Sequence, residues 1–417
     1  MRRLNAAIPT LLALGLAAGF TAPARAQAPT AGVTVFEGAR LIAGDGRAPI
    51  ENATLVMDGT KLVQVGKAAD VRVPPNAKRV NLAGKTVMPA LVDAHVHTSE
   101  TREALTQDLR RMAYFGVGAA MSLGLDPAEA PFEVRAAPIP GAARFALAGR
   151  GITAPEPGRD TSPYWVTTEA EARQAVRANA AEKVNIIKIW VDDRNGKYKK
   201  LTPDLYGAII DEAHRNGLRV TAHIFALEDA KGLLRAGVDA FAHGVRDRDI
   251  DDEFMALLKQ HPNLVLNPNM GARGVKTDLS WLKGSLPAAD FAKLEAANAD
   301  QPQAQARYAI QARNLMKMNA AGVRIVLGTD TDGSAAWATH LEMEDMVTAG
   351  MTPMQVLVAA TRNAADFIGV RDAGTLEAGK SADFIVLDAN PVEDITNTRR
   401  IASVYLRGTL VDRKEYP

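Results

Sequence analysis

The residues best suited to metal chemistry in this chain are its seven histidines, because the sequence contains no cysteine. Thiolate ligands and a cysteine nucleophile are therefore excluded, and a metal ion could be held only by nitrogen and oxygen atoms. His95 and His97 are two residues apart, so on a β-strand both rings would leave the same face. Such a pair is a weak signal by itself, and further ligands must come from elsewhere in the chain.

Three further candidates, His223, His243 and Asp330, each end a short apolar run. A hydrogen-bonded position in the core would explain each of them singly. Four imidazoles and a carboxylate at the ends of apolar runs have a shared explanation if they bind a cation. Asp330 could also take a proton from bound water, which makes it the candidate general base.

Lys188 lies inside the apolar run 184–190, where an ammonium group would repel a metal ion. In one interpretation the head group of Lys188 extends past its neighbours into water. In the other, the amine is neutral and is carboxylated by carbon dioxide, which gives an anionic carbamate able to bridge two ions. The second interpretation is favoured, because it turns an unfavourable charge into a ligand.

The elements that must position these residues follow from an alternation of apolar runs with helical stretches, which favours a parallel sheet with crossover helices. Eight candidate strands predict an α/β fold, a (β/α)8 TIM barrel, whose active site is built at the carboxyl ends of the strands. The predicted strands lie near residues 86–97, 117–123, 143–149, 184–191, 219–223, 238–243, 264–268 and 324–330. The predicted helices include 203–216, 226–236 and 303–321.

Both chain ends carry β-type runs outside this barrel. Three runs lie within residues 32–86, two of them joined by Asp58-Gly59, and two more lie at 383–387 and 403–406. Neither end has enough strands for a core of its own, so both are predicted to form one small composite β-sandwich. The predicted domains are a signal peptide at 1–26, the sandwich at 27–86 and 371–417, and the barrel at 87–370.

The first residues have the pattern of a targeting segment. Arg2 and Arg3 precede an apolar stretch at 6–20, and Ala24-Arg25-Ala26 has the form of a cleavage site. A retained membrane anchor is the alternative, but the stretch is short for a bilayer and contains Pro9. The sequence therefore predicts export to the periplasm or beyond, with no membrane association after cleavage.

Taken in chain order, the candidate residues form a specific set: Asp93-Ala94-His95-Val96-His97, Ile187-Lys188-Ile189, His223, His243-Gly244 and Gly328-Thr329-Asp330. This set resembles the amidohydrolase superfamily, near its imidazolonepropionase-related and prolidase-like groups. The resemblance implies that His95, His97 and Asp330 hold one ion, that His223 and His243 hold a second, and that carboxylated Lys188 bridges both. It implies two divalent metal ions as cofactors, with Zn²⁺ favoured and Mn²⁺, Co²⁺ or Fe²⁺ as alternatives.

Three residues near these ligands are candidates for contact with the substrate. Phe225 occupies a position where prolidase-like relatives often carry a tyrosine, and it cannot donate a hydrogen bond. Trp190 would either form an aromatic wall of the pocket or pack between barrel and helices. Arg246 would either bind a substrate carboxylate or lie solvated on a loop.

The predicted function is hydrolysis of an amide (C–N) bond in a small N-acyl amino acid, dipeptide or aryl-amide-like substrate. Metal-bridged hydroxide would attack, and Asp330 would act as general base and then as general acid. A carboxylic ester, lactone or phosphotriester hydrolase could use the same site, and a mononuclear deaminase or cyclic amidine hydrolase and a non-catalytic metal-binding protein are further alternatives. Lys188 argues against the deaminase, since deaminase relatives usually lack it.

The balance of charged residues indicates which kinds of partner the protein could bind. With 49 Lys and Arg against 48 Asp and Glu, the chain has no basic field for nucleic acid, and a small neutral or mixed-charge substrate fits better. Relatives often assemble into homo-oligomers, but no segment of this sequence identifies an interface.

Overall fold

The computed structural model describes residues 32–271 and 273–417, within which the chain forms a parallel β-barrel and a mixed β-sheet. The predicted signal peptide, residues 1–26, lies outside the described residues and stays a prediction. Among the described helices, none combines the length and apolar character needed to cross a membrane.

The barrel contains all eight strands expected from the sequence, and neighbouring strands that pair are parallel. Two hydrogen bonds close the ring: the N–H of Asn185 donates to the C=O of Leu147 at 2.9 Å, and that of Ala94 to Leu327 at 2.9 Å. The carboxyl ends of the strands therefore meet at one rim. With strands numbered along the chain, those of the barrel are β6 (Leu91–His97), β7 (Val117–Ser122), β8 (Arg144–Leu147), β11 (Ile187–Trp190), β12 (Val220–His223), β13 (Ala240–Ala242), β14 (Val265–Asn267) and β15 (Arg324–Ile325).

Amphipathic helices connect the strands and pack on the barrel. Buried Ile209 and Ala213 are one turn apart on one helix, as a core-facing stripe requires. Gly237, with a φ of 87°, ends another helix in the left-handed conformation that glycine adopts without strain. The helices are α1 (Arg102–Tyr114), α2 (Ala130–Ala136), α3 (Glu169–Ala181), α4 (Pro203–Arg215), α5 (Leu227–Ala236), α6 (Asp252–Leu258), α7 (Ala288–Ala297), α8 (Pro302–Ala320), α9 (Ala338–Thr348), α10 (Pro353–Val358) and α11 (Ala364–Ile368), with a π-helical turn at Ala359–Asn363.

Both ends of the chain join in one eight-stranded sheet, as the sequence predicts for the composite domain. Its core includes Phe36 and Phe384, whose ring centroids are 5.1 Å apart although they come from opposite ends of the chain. The backbone N–H of Leu62, in the third strand, donates to the C=O of Lys380 at 3.0 Å. This edge strand of the sheet therefore also contacts the C-terminal segment. The strands are β1 (Thr34–Leu41), β2 (Ile50–Asp58), β3 (Lys61–Lys67), β4 (Lys78–Asn81), β5 (Thr86–Pro89), β17 (Phe384–Leu387), β18 (Ile401–Leu406) and β19 (Thr409–Leu410).

One predicted strand, residues 86–97, is two strands in the structure. β5 pairs with β1 and β17 in the mixed sheet, whereas β6 belongs to the barrel. The change falls at Pro89, which has no N–H to donate, and the next N–H, of Ala90, donates to Asp383 at 3.0 Å. Five strands were also not predicted. Four of them, with two residues each, are too short to show a pattern: β9 (Ile152–Thr153), β10 (Tyr164–Trp165), β16 (Thr331–Asp332) and β19. The fifth is β4, the four-residue strand that pairs with β1.

Candidate metal centre

The six predicted metal ligands converge at the carboxyl-terminal rim of the barrel. His95 and His97 end β6, Lys188 lies in β11, His223 ends β12, His243 directly follows β13, and Asp330 lies between β15 and β16. The ring centroids of His223 and His243 are 4.4 Å apart, and those of His95 and His243 are 5.3 Å apart. Parallel strands that end at one rim thus bring together residues far apart in the sequence.

Three of the six form the tightest cluster. The Nε2 atoms of His95 and His97 each lie 3.0 Å from Oδ1 of Asp330. Within the part of the chain that the structure describes, these residues are the group of three whose ligand atoms all lie within 4.8 Å of one another. Ligand atoms about 2.0–2.1 Å from a tetrahedral zinc ion lie about 3.3 Å from each other, so the spacing fits a single ion.

The protonation of His95 indicates what this cluster binds. Asn269 donates from Nδ2 to the C=O of Gly328 at 2.6 Å, so its Oδ1, 3.1 Å from Nδ1 of His95, faces the ring as an acceptor. Burial lowers the pKa of His95 to about 3, so the ring is neutral and carries its one proton on Nδ1. The Nε2 lone pair therefore faces the carboxylate of Asp330, an arrangement that a cation between the two atoms would stabilise. Imidazole nitrogen and carboxylate oxygen together suit Zn²⁺.

Asp330 is held in an uncommon backbone conformation, with a φ of 56°. Its N–H donates to the C=O of His95 at 2.7 Å, which secures this left-handed conformation. Burial disfavours the ionised carboxylate, and the hydrogen bond with Nε2 of His97, 3.0 Å from Oδ1, favours it. The ionised carboxylate can both bind a metal ion and accept a proton.

Asp93 accepts hydrogen bonds from residues next to the cluster and so stabilises its backbone. Its carboxylate accepts hydrogen bonds from the N–H of His95 at 3.1 Å, from the N–H of Thr329 at 3.1 Å and from Oγ1 of Thr329 at 2.8 Å. Burial raises the pKa of Asp93 to about 7 in spite of these donors. The three bonds fix the backbone of β6 and of the segment that carries Asp330 against each other.

Lys188 is buried, with 1% of its surface exposed, and its Nζ lies 3.4 Å from Nε2 of His95. Burial lowers the pKa of the Lys188 amine to about 7, although the carboxylate of Asp330 opposes the effect. Near neutral pH a large fraction of the amine is therefore neutral, which is the form that can react with carbon dioxide. The stem of Lys188 and the ring of Trp190 pack against Gly124, where any side chain would overlap them.

His223 and His243 lie beside the cluster, each with a polar partner. Nε2 of His223 is 3.1 Å from Oδ2 of Asp192, and Nδ1 of His243 accepts a short hydrogen bond from Arg246. Burial lowers the pKa of His223 to about 4 and that of His243 well below its usual value, so both rings are neutral at neutral pH. His243 has a φ of 138°, a strained conformation for a residue other than glycine.

A cavity of about 440 Å³ opens beside Asp330. Phe225 and Arg246 line it, as expected for substrate-binding residues, and the N–H of Arg246 donates to the C=O of Phe225 at 2.9 Å, which ties two rim loops together. Trp190 is not among the described residues that line this cavity. Its ring packs against Gly124 and Gly151, and the ring centroid lies 5.2 Å from Nζ of Lys188.

A sequence model described as the Amidohydrolase family matches residues 86–411, most of the chain. The chain belongs to the amidohydrolase family. Family members are metal-dependent, and the cluster of two histidines and an aspartate agrees with that property.

Individual relatives agree with the groups that the sequence resembles. This amidohydrolase is 28% identical to ochratoxinase of Aspergillus niger, over 89% of this chain and 84% of the relative. It is 27% identical to imidazolonepropionase of Deinococcus radiodurans, over 86% and 92% of the two chains. The crystal structure of a proposed prolidase from Bifidobacterium longum superposes with a TM-score of 0.76 at 27% identity, over 93% and 96% of the two chains. The predictions of the family, of the barrel fold and of a hydrolase acting on C–N bonds are thereby confirmed.

Several residues around this amidohydrolase's centre were not found from the sequence. Asp192, Asn269 and Arg307 contact predicted ligands or line the cavity. Polar residues directly after the apolar runs of β11 and β14 were the available signal for the first two. Arg307 lies on α8, and nothing in its local sequence distinguishes it from other helix-surface arginines. His340, not counted as a ligand, is structural: its ring bonds to Oγ1 of Thr398 at 3.0 Å and to a backbone carbonyl.

Proposed function

We propose that this amidohydrolase cleaves an amide (C–N) bond of a small N-acyl amino acid, dipeptide or aryl-amide-like substrate with the help of two divalent metal ions. The observation that carries the proposal is the short distance between two ligand atoms, Nε2 of His95 and Oδ1 of Asp330, which are 3.0 Å apart, with Asp330 in the wall of a cavity of about 440 Å³. Pockets for small molecules usually have volumes of about 300–1,000 Å³.

Two ions require two sets of ligands. His95, His97 and Asp330 would hold the first ion, His223 and His243 the second, and Lys188, as a carbamate, would bridge them. Zn²⁺ is the ion that this donor set favours. Support for the bridge comes from the lowered pKa of Lys188, about 7, and from its 3.4 Å distance to His95. When bound, the ions would polarise the scissile carbonyl and lower the pKa of water to about 7.

Asp330 moves the proton in this reaction. As a water oxygen bonds to the carbonyl carbon, the carboxylate accepts a water proton, and it returns that proton to the nitrogen when the C–N bond breaks. The products are a carboxylic acid and an amine, so the atoms of one water molecule are accounted for. The position of Asp330 in the wall of the cavity supports this role, because a substrate in the cavity would lie next to the carboxylate.

The charges at the cavity favour a substrate with a free carboxylate. Arg246 and Arg307 both line the cavity, and Arg307 forms no ion pair with any residue in 32–271 or 273–417. Burial lowers the pKa of Arg246, the carboxylates of Asp330, Glu342 and Asp192 oppose this effect, and the charge of Arg307 adds a smaller lowering. A substrate carboxylate could pair with Arg307, and a carboxylate is the anion that N-acyl amino acids and dipeptides supply. Phe225 offers the same substrate an apolar contact.

The test compares N-acyl amino acids with their C-terminal amides, using zinc-loaded wild type, Arg307→Ala and Arg313→Ala. Arg313 is the matched control, because it lies on the same helix but pairs with Asp249 at 2.9 Å. We expect Arg307→Ala to raise KM for the free acids about tenfold, as loss of a charge-assisted hydrogen bond predicts, with little change for the amides. A wild type that hydrolyses esters and no amide would refute amidase activity, and equal effects on acids and amides would refute the carboxylate contact.

We also propose that the protein is exported, on the basis of the apolar stretch at 6–20 and the small residues Ala24 and Ala26. The mature chain would begin at Gln27. Sequencing the amino terminus of protein recovered from the periplasm or medium tests this, and an intact terminus on protein confined to the cytoplasm would contradict it.

A further inference from the structure

Asn269 is a buried residue two positions after the end of β14, with a left-handed φ of 42°. Its position is fixed by its own backbone, because its C=O accepts hydrogen bonds from Gln311 at 3.4 Å and from Arg246 at 3.5 Å. Asparagine tolerates this backbone conformation better than most residues do. A polar side chain is thus held rigidly next to the cluster without being one of its ligands.

Both polar atoms of the Asn269 side-chain amide form hydrogen bonds. Nδ2 donates to the C=O of Gly328 at 2.6 Å, and Oδ1 accepts from Nδ1 of His95 at 3.1 Å. The amide cannot be in the flipped orientation, because its oxygen would then face the carbonyl oxygen of Gly328 and its NH₂ group would face the protonated Nδ1 of His95. Because Gly328 is two residues before Asp330, the same side chain connects β6 to the segment that carries the cluster's carboxylate.

We propose that Asn269 is a positioning residue that fixes the tautomer of His95, so that Nε2 is always the nitrogen presented to the metal ion. Without this acceptor, the neutral ring could carry its proton on Nε2 instead. Nε2–H would then donate to the Asp330 oxygen 3.0 Å away. In that state the Nε2 atom would have no lone pair with which to bind a metal ion. Partners of this kind typically account for about 10–100-fold in metal affinity.

The inference rests on the metal site proposed above, and its test separates the two. Zn²⁺ affinity is measured by competition with a chelator in wild type, Asn269→Leu and Asn269→Asp. Leucine has nearly the shape of asparagine but accepts no hydrogen bond, whereas aspartate keeps the acceptor for His95. Asn363→Leu is the matched control, since Asn363 also donates from Nδ2 to a carbonyl of the eighth strand, Ile325 at 3.0 Å, but does not contact a predicted ligand.

A second measurement does not depend on metal loading. Selective ¹⁵N labelling of histidine gives few signals, because the chain has seven histidines, and the ¹⁵N shifts of each ring report its tautomer. In metal-free wild type we expect His95 with its proton on Nδ1, and in metal-free Asn269→Leu a population with the proton on Nε2.

The expected result is a loss of Zn²⁺ affinity of about 10–100-fold in Asn269→Leu and an affinity within about threefold of wild type in Asn363→Leu. Asn269→Asp should lose less than Asn269→Leu, because it keeps the acceptor for His95 and loses only the donor to Gly328. Asn269→Leu that binds as tightly as wild type, or Asn363→Leu that loses as much, would overturn the inference. If Asn269→Leu does not fold, an Nε2–H tautomer of His95 in wild type or in Asn269→Asp would overturn it. A wild type that binds no metal would instead refute the metal site.

Discussion

Replacement of Lys188 by methionine tests the buried amine directly. Methionine has a similar length and no charge, so Lys188→Met removes the ionisable group while it fills the same space. The pKa of Lys188 falls from an ordinary 10.5 to about 7 in the folded protein. A lysine with a lowered folded pKa destabilises the fold fully below that pKa, and the penalty decreases as pH rises towards the unfolded value.

The magnitude follows from the two pKa values. A tenfold change in proton affinity corresponds to about 1.4 kcal/mol, so the penalty is about 5 kcal/mol at pH 6 and about 2 kcal/mol at pH 9. Metal-free Lys188→Met should therefore unfold at higher urea concentration than metal-free wild type, with a stability difference that shrinks by about 3 kcal/mol between pH 6 and pH 9. Because neither protein has cysteine, thiol oxidation does not complicate the comparison.

The assay is urea unfolding of chelator-treated protein in bicarbonate-free buffer at pH 6, 7.5 and 9. Lys293→Met serves as control, because the side chain of Lys293 is 80% exposed, and its stability difference should be small and constant. A difference between wild type and Lys188→Met that does not change with pH would refute the reasoning. With zinc and bicarbonate restored, elemental analysis should find about two ions per wild-type chain and fewer in Lys188→Met, together with loss of activity.

Two further substitutions test the proton transfer and the packing beneath the centre. Asp330→Asn keeps the shape of the side chain but cannot accept a proton, so kcat should fall by at least about 100-fold; steady-state rates with parallel metal analysis check this, and a variant that keeps a tenth of the wild-type kcat would count against the role. Gly151→Ala would place a methyl group where it overlaps ring atoms of Trp190. We expect the free energy of unfolding, measured by thermal denaturation, to fall by about 1–3 kcal/mol. Adding Trp190→Leu should restore much of that loss, and no recovery would mean that the overlap is not the cause.

The eight barrel strands were predictable because each is an apolar run followed by a helix, a pattern that local sequence displays. The convergence of His95, His223, His243 and Asp330 was predictable for a related reason, since parallel strands that share a barrel end at a common rim. Because each of these ligands lies at or just beyond the carboxyl end of an apolar run, its place in the sequence predicted its place in the barrel.

The remaining features depend on contacts that local sequence does not contain. The role of Asn269 follows from Gly328, a neighbour only in the folded barrel. The packing of Trp190 is set by Gly124 and Gly151, which lie after β7 and just before β9. Arg307 lines the cavity because one side of α8 borders it, as Ala304 and Gln311 on the same helix show. The break at Pro89 depends on pairing with a strand almost 300 residues later in the chain.

That last pairing has a consequence for how the protein acquires its structure. β5 lies between β1 and β17, and Thr86 pairs with Leu387. A ribosome must therefore synthesise nearly the whole polypeptide before β5 can pair with β17. Contacts so distant along the chain slow folding, and we expect this edge of β5 to stay exposed during translation. An unfinished chain would then be a substrate for chaperones, and removing the last 40 residues would leave an open, aggregation-prone edge beside β5 rather than a shorter enzyme.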